Sequence, residues 1–261
     1  MARINSIWGF ALAVLSAGLV LAEMPAATDE PDPSGKVVAR VQGDAPLEPR
    51  PQDDGTTFYS SGIHRVTTPL PVGYPPPTPP GAIEIKSYPR VRRATVSGTG
   101  QGPDGMRNSA AGFWPLFAHI KRRGIAMTAP VEIEYQGLEV DDGDSAAEAE
   151  TGGDGDRSAR TWSMSFLYRT ADAGPAESYA GIEVADTEPL TVFAVGLAGD
   201  ATREAIDAAL GQLNQAVRAS RHWQQQGPPR IMGYNGPDVP EPERWSEVQV
   251  PVVEVAESDE R

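Results

Sequence analysis

Between Phe113 and Tyr135 the apolar period changes from that of a helix to that of a strand with almost nothing in between. Phe113, Leu116, Phe117 and Ile120 recur at helical spacing and share one face. Lys121, Arg122 and Arg123 follow, then Gly124; cations in a last turn before a glycine mark a helix C-terminus. From Ile125 the pattern reads as a strand. Val131, Ile133 and Tyr135 alternate with Glu132 and Glu134, which predicts one apolar face and one face turned to water. The remaining structured residues must build a sheet around this unit.

The architecture recurs further along the chain. Ile83 and Ile85 alternate with Glu84 and Lys86, and Val91–Val96 extends that strand past Tyr88-Pro89. Asn108 or Ser109 is placed to cap the first helix, and Pro115 should bend it. Thr161–Arg169, Ile182–Ala185 and Thr191–Leu197 read as strands. Asp200 caps a second helix, Ala201 to about Trp223, with the stripe Ile206, Ala209, Leu210, Leu213 and Val217; Gly227-Pro-Pro229 ends it. Arg230–Tyr234 and Trp245–Val253 finish as strands. The order is strand–helix–strand–strand, a hairpin strand, then strand–helix–strand–strand. That weak duplication, with two long helices among antiparallel-looking hairpins, predicts an α+β fold with helices packed on a curved sheet.

The rest of the chain reads as export signal, linker or solvated text. Residues 1–22 carry Arg3, the apolar run Ile7–Ala22 and a small-residue site at Val20-Leu21-Ala22, the pattern of a cleaved secretory signal; an uncleaved anchor is the alternative. The expected location is periplasmic or secreted, with no membrane insertion after cleavage. Residues 23–80 are rich in Pro, Asp, Gly and Ser and read as a disordered linker ending in Tyr74-Pro-Pro-Pro-Thr-Pro-Pro80, a stretch that favours polyproline II. Short strand patterns at Lys36–Val41 and Thr56–Val66 do not amount to a second domain. The folded domain is expected over 81–253, with a disordered acidic insert at 137–160 and an acidic tail at 254–261.

The net charge of −14 argues against nucleic acid or an anionic membrane as a partner. Much of that charge lies in the insert and the tail, so it speaks to solubility more than to a site. The absence of cysteine excludes disulfides, thiolate metal sites and cysteine nucleophiles. Gly100–Gly105 matches G-x-G-x-x-G in letters, but its proline and the lack of a parallel β-α-β unit argue against a dinucleotide site. Asp141, Asp142, Asp144, Asp154 and Asp156 fit neither an EF-hand nor a β-roll spacing. His64, His119 and His222 have no metal-ligand spacing to one another, and no G-x-S-x-G elbow is present.

Six phrases in order rise above this background: Ile83–Tyr88 (IEIKSY), the first helix, Met127–Val131 (MTAPV), Met164–Tyr168 (MSFLY), Gly233–Pro237 (GYNGP) and Trp245–Val250 (WSEVQV). Together they resemble the SOUL haem-binding protein family over about Ala82–Val252. The resemblance implies a duplicated βαββ unit like the bacterial effector-binding domains, with a curved antiparallel sheet forming a distorted barrel and two main helices. It also implies reversible binding of haem or a related tetrapyrrole in a hydrophobic cleft lined partly by the first helix. A histidine proposed as the iron ligand in some members corresponds here to Ser87, so that ligand is absent.

On this reading Phe113, Trp114 and Phe117 supply stacking surface, and Lys121, Arg122 and Arg123 pair with propionates. His119, Met127, Tyr88 and Tyr234 are the candidates for contact with iron, His119 first among them as an axial ligand. The binding partner is a tetrapyrrole small molecule. Two alternatives stay open: binding of another amphipathic molecule, or hydrolysis using Glu132 or Glu134 with Tyr135 or Tyr234.

Overall fold

Helix α1 (Ala110–Arg123) forms where the apolar spacing requires it, with Leu116 and Ile120 buried and Phe113 and Phe117 half-buried. Its last turn carries Lys121, Arg122 and Arg123, and Gly124 leaves it at a φ of 67°. The computed structural model describes residues 34–99, 110–135 and 161–255. The expected signal 1–22, insert 137–160, Gly100–Gly105, Asn108, Ser109 and residues 256–261 of the tail lie outside the described residues.

Ten strands form one continuous path. Their order is β1 (Lys36–Gln42), β5 (Ile83–Tyr88), β11 (Leu190–Ala198), β14 (Trp245–Glu254), β13 (Arg230–Gly233), β7 (Val131–Tyr135), β8 (Thr161–Leu167), β6 (Arg92–Thr99), β10 (Ile182–Asp186) and β9 (Ser178–Tyr179). Strand β12 (Trp223–Gln225) pairs with β14 beside this path, and β2 (Glu48–Pro51), β3 (Thr57–Ser61) and β4 (His64–Val66) make a separate small sheet. Every ladder between these strands is antiparallel.

The duplication is visible in the topology. The unit β6–α1–β7–β8 is repeated by β11–α2–β13–β14, where α2 is Arg203–Ser220, and the two copies meet along β7 and β13. Each copy's preceding strand crosses over: β5 pairs with β11, and β10 pairs with β6. The large sheet is open, ending on β1 and β9, so the distorted barrel of the sequence reading is a curved sheet that does not close.

Four boundaries move. The strand expected to run from Ile83 past Tyr88-Pro89 to Val96 is two, β5 ending at Tyr88 and β6 starting at Arg92, set well apart in the sheet. Strand β7 starts at Val131 rather than Ile125, because Ile125–Pro130 is an irregular connection. That connection is pinned by the Thr128 hydroxyl donating to the Leu167 carbonyl at 2.5 Å. The cap of α2 is Thr202, whose hydroxyl accepts from the Ala205 N–H at 3.2 Å; Asp200 turns instead to Arg244 at 2.7 Å. Trp223 lies beyond α2, in β12. The stripe Ile206, Ala209, Leu210, Leu213 and Val217 is the buried face of α2, as the spacing predicts.

The larger correction concerns the sheet's second face. The first face carries Ile83, Ile85, Val131, Ile133, Phe193, Ile231 and Val248 and packs under both helices. Alternation then puts Glu84, Lys86, Glu132, Arg230, Glu247 and Gln249 on the opposite face. That face is covered, not wet. Residues 67–80, expected as disordered linker, lie over it, with Leu70, Tyr74 and Thr78 buried. Upstream, β1 pairs with β5 and β2–β4 form their own ladder, so 34–80 is structured for the same reason. A proline-rich segment cannot join a ladder through its missing N–H groups, but it can cover a sheet with its side chains and carbonyls. Gly196 makes room: a Cβ there would collide with the Thr78 and Pro79 carbonyls.

Candidate functional site

A cleft of about 630 Å³ opens between the first half of α1 and the loop Gly233–Arg244. Phe113 and Trp114 form one wall, Met127–Ala129 and Val131 the floor, and Tyr234, Asn235 and Arg244 the far side. Trp114 is 62% exposed, an unusual position for an indole. It is held edge-on by Phe113 at 5.5 Å and Phe117 at 5.9 Å. Phe113 in turn stacks on Phe117 at 5.7 Å and meets Phe166 of β8 edge-on at 5.2 Å. The aromatic wall is thus fixed from behind by the core, with one ring left facing outward.

The polar side of the cleft was not legible as a site. Asp200 and Arg244 pair across it at 2.7 Å, and Arg244 also donates from Nε to the Val239 carbonyl at 2.7 Å. Asn235 fixes the loop, accepting from the Trp245 N–H at 2.7 Å and donating to the Arg65 carbonyl at 2.7 Å. The phrase Gly233–Pro237 was the available signal for this loop, and it marks the wall opposite α1.

The residues expected to share one site are divided between two. Phe113, Trp114, Met127 and Tyr234 line the cleft, and Phe117 backs its aromatic wall. His119, Arg122 and Arg123 line a second hollow of about 470 Å³ with Tyr179 and Ile182. At 3.6 residues per turn, positions 119, 122 and 123 lie on the side of α1 away from 113 and 114. Arg122 and Arg123 therefore do not rim the aromatic cleft, while Lys121 lies on the same side of α1 as Phe113 and Phe117. Arg123 pairs with Glu177, and the Lys121 ammonium sits 5.3 Å over the Phe117 ring.

The iron-ligand candidates are likewise sorted. His119 is buried, and its Nε2 shares a hydrogen bond with the Tyr168 hydroxyl at 2.9 Å. Burial, then Arg123 and Arg122, hold its pKa below the usual 6.5. It does not line the cleft. The Ser87 hydroxyl accepts from the Lys36 N–H at 3.2 Å. Tyr234 lines the cleft, but its hydroxyl donates to Glu247 Oε2 at 3.0 Å. Burial and the Glu247 charge push its pKa well above 10, so it stays a phenol and a poor ligand for iron. Tyr88 lies on the second face, accepting from Gln249 Nε2 at 2.6 Å. Met127 remains as the thioether at the cleft. Among the described residues no cluster of three or more His, Asp or Glu side chains could hold a metal.

Below the covered face lies a buried ionic network. Lys86 and Glu247 are both 0% exposed, with the ammonium 3.0 Å from each carboxylate oxygen. Glu247 also accepts from the Thr78 N–H at 2.9 Å and from Gln249 Nε2 at 2.5 Å. Burial alone would raise its pKa; Lys86, the Thr78 N–H and Gln249 together reverse that and hold it below 4.5. Glu132, expected to face water, is buried between Arg93 and Arg230, with Arg230 Nη1 at 2.9 Å. Glu134 pairs with Arg93 at 3.0 Å, and Tyr135 packs on the helical side of the sheet, apart from both glutamates.

Fold and cleft together define an α+β domain made by duplication, with a cleft beside its first helix. The chain belongs to the SOUL heme-binding protein family, whose model matches residues 77–251. No curated protein matches the chain. Among solved structures, it is similar to the EcmrR–DNA complex seen by cryo-EM, with 15% identity and a TM-score of 0.50; 66% of this chain and 57% of that chain are covered. The crystal structure of the EcmrR C-terminal domain follows at 14% identity and a TM-score of 0.49, with 66% and 98% covered. A hydrolase from Listeria innocua gives 13% identity and a TM-score of 0.45, with 68% and 94% covered. The chain thus spans less than two thirds of the first of these, and at such identities the likeness is one of fold. Among the described residues no helix is long and apolar enough to cross a membrane.

Proposed function

We propose that the cleft beside α1 binds haem or a related tetrapyrrole reversibly, through apolar contact more than through iron ligation. Family membership supports the ligand class, and one observation carries the site: Trp114 faces the cleft 62% exposed on a wall of packed aromatic rings. An indole held rigid by its neighbours offers a large flat face at little entropic cost. Phe113 and Met127 extend that apolar surface. Arg244, shared with Asp200, is the cation lining the cleft and the group available to a propionate. When bound, haem supplies an iron centre, toward which Met127 is the thioether this cleft offers. Weak ligation suits a carrier that takes up and releases its cargo.

The hydrolase alternative has less support. Glu132 is held between two guanidinium groups and Glu134 by one, so neither is free to move a proton. The set Glu247, Tyr234 and Tyr88 has suitable residue types, but the carboxylate is saturated with donors and sealed under residues 67–80.

Titrating the full chain with hemin tests the assignment of the site. Trp114→Ala should weaken binding about tenfold, the cost of removing one large aromatic contact. Unchanged affinity in that variant would remove the cleft from consideration. Export is part of the same proposal and rests on residues 1–22. N-terminal sequencing of the mature protein checks it; a start at Met1 would contradict cleavage.

A further inference from the structure

Residues 74–80 are held on the sheet's second face in the manner of a bound peptide. Five of these seven residues are proline, which fixes their φ and presses each preceding residue into extended or polyproline II backbone. From 75 to 80, Thr78 alone has an N–H, and both of its main-chain groups are met by side chains, not by a neighbouring strand. Glu247 Oε2 accepts the Thr78 N–H at 2.9 Å, and the Trp245 indole N–H donates to the Thr78 carbonyl at 2.7 Å. Tyr74 stands edge-on to Tyr88 at 4.7 Å and 69°, and Tyr234 packs beside Trp245 at 6.4 Å. Bare Gly196 lets the Thr78–Pro79 backbone approach.

An aromatic-lined groove whose indole donates to a carbonyl of an extended proline-rich segment is the arrangement by which polyproline II peptides are recognised. Two buried polar atoms have no partner among the described residues: Thr78 Oγ1 on the segment, and Nη2 of Arg230, whose guanidinium stands 4.7 Å over the Tyr88 ring. The anchoring residues Leu70 and Tyr74 precede residue 77, where the family match begins.

We propose that this groove is a recognition site for proline-rich peptides, occupied in cis by residues 74–80 and open to a peptide of the same chemistry in trans when that segment is displaced. The site lies on the sheet face opposite the helices; it shares Tyr234 with the cleft but does not rest on the tetrapyrrole reading.

The test uses the full chain and a fluorophore-labelled synthetic peptide of residues 72–82, followed by anisotropy. Tyr74→Ala weakens the segment in cis and leaves Tyr88, Trp245 and Glu247 in place. It should bind the peptide at least about tenfold more tightly than the unaltered chain, because a groove filled in cis lowers apparent affinity by the fraction closed. Adding Trp245→Phe to Tyr74→Ala should abolish that gain by deleting the indole donor. Leu70→Ala loosens the same segment elsewhere and should give the same gain. A cooperatively folded Tyr74→Ala or Leu70→Ala chain with no saturable binding overturns the proposal, as does equal binding with and without Trp245. Failure of both variants to fold also overturns it, since the segment would then be an inseparable part of the core.

Discussion

Tyr234 lines the cleft while its hydroxyl donates to Glu247 Oε2 at 3.0 Å, so one side chain joins the ligand wall to the buried ionic network. Its phenol is committed to a carboxylate and not available to iron. Tyr234→Phe should therefore leave the hemin Soret spectrum unchanged. It should cost about 1.5–3 kcal/mol in urea unfolding, the worth of a hydrogen bond to a charged group. A shifted Soret band in this variant would make Tyr234 a ligand after all.

Lys86 and Glu247 are wholly buried together, and removing one strands the other. Glu247→Leu or Lys86→Met alone should destabilise the chain by about 3–5 kcal/mol, whereas the paired change Lys86→Met with Glu247→Leu should recover much of that loss. Chemical denaturation of the three variants checks this as a double-mutant cycle. Additive losses would show that the two charges do not act as a pair.

The same network fixes the response to acid. Glu247 and Glu132 both have folded pKa values below the ordinary 4.5. Burial opposes this in each case; Lys86, the Thr78 N–H and Gln249 outweigh it for Glu247, and Arg230 and Arg93 for Glu132. A carboxyl with a depressed folded pKa stabilises fully above its unfolded value, and that contribution is lost as pH falls through the folded value. Burial and Glu132 push Glu134 the other way, so it offsets part of the effect. Melting temperature should fall progressively as pH drops below 4.5. Lys86→Met should flatten that fall.

His119 sits on the far side of α1 from the aromatic wall, bonded to Tyr168 at 2.9 Å. His119→Ala should leave hemin affinity and spectrum unchanged and cost about 1 kcal/mol of stability, a single buried hydrogen bond. A lost or shifted Soret band would place the iron in the second hollow instead.

The helices and the apolar face of the sheet were legible because periodicity reports them directly: Ile206–Val217 on α2, and Val131 and Ile133 on β7. The duplication followed from element order. Two things were not legible. Alternation says which side chains share a face but not what covers it, so Glu132, expected to face water, instead lies buried on the face that residues 67–80 cover. Proline-rich composition reads as disorder, although a segment with few N–H groups can still cover a sheet with its side chains and carbonyls. For the site, the aromatic wall was visible in Phe113 and Trp114. The separation of His119, Arg122 and Arg123 from it depends on the rotation of α1 against the sheet, which sequence proximity conceals.

The central claim is apolar capture of a tetrapyrrole, and paired titration of the full chain with hemin and with metal-free protoporphyrin tests it most directly. The account predicts saturable binding of both, with dissociation constants within about threefold, a difference well under 1 kcal/mol. Saturable binding of hemin alone would make iron ligation the basis of recognition, and no saturable binding of either by folded protein would contradict the account.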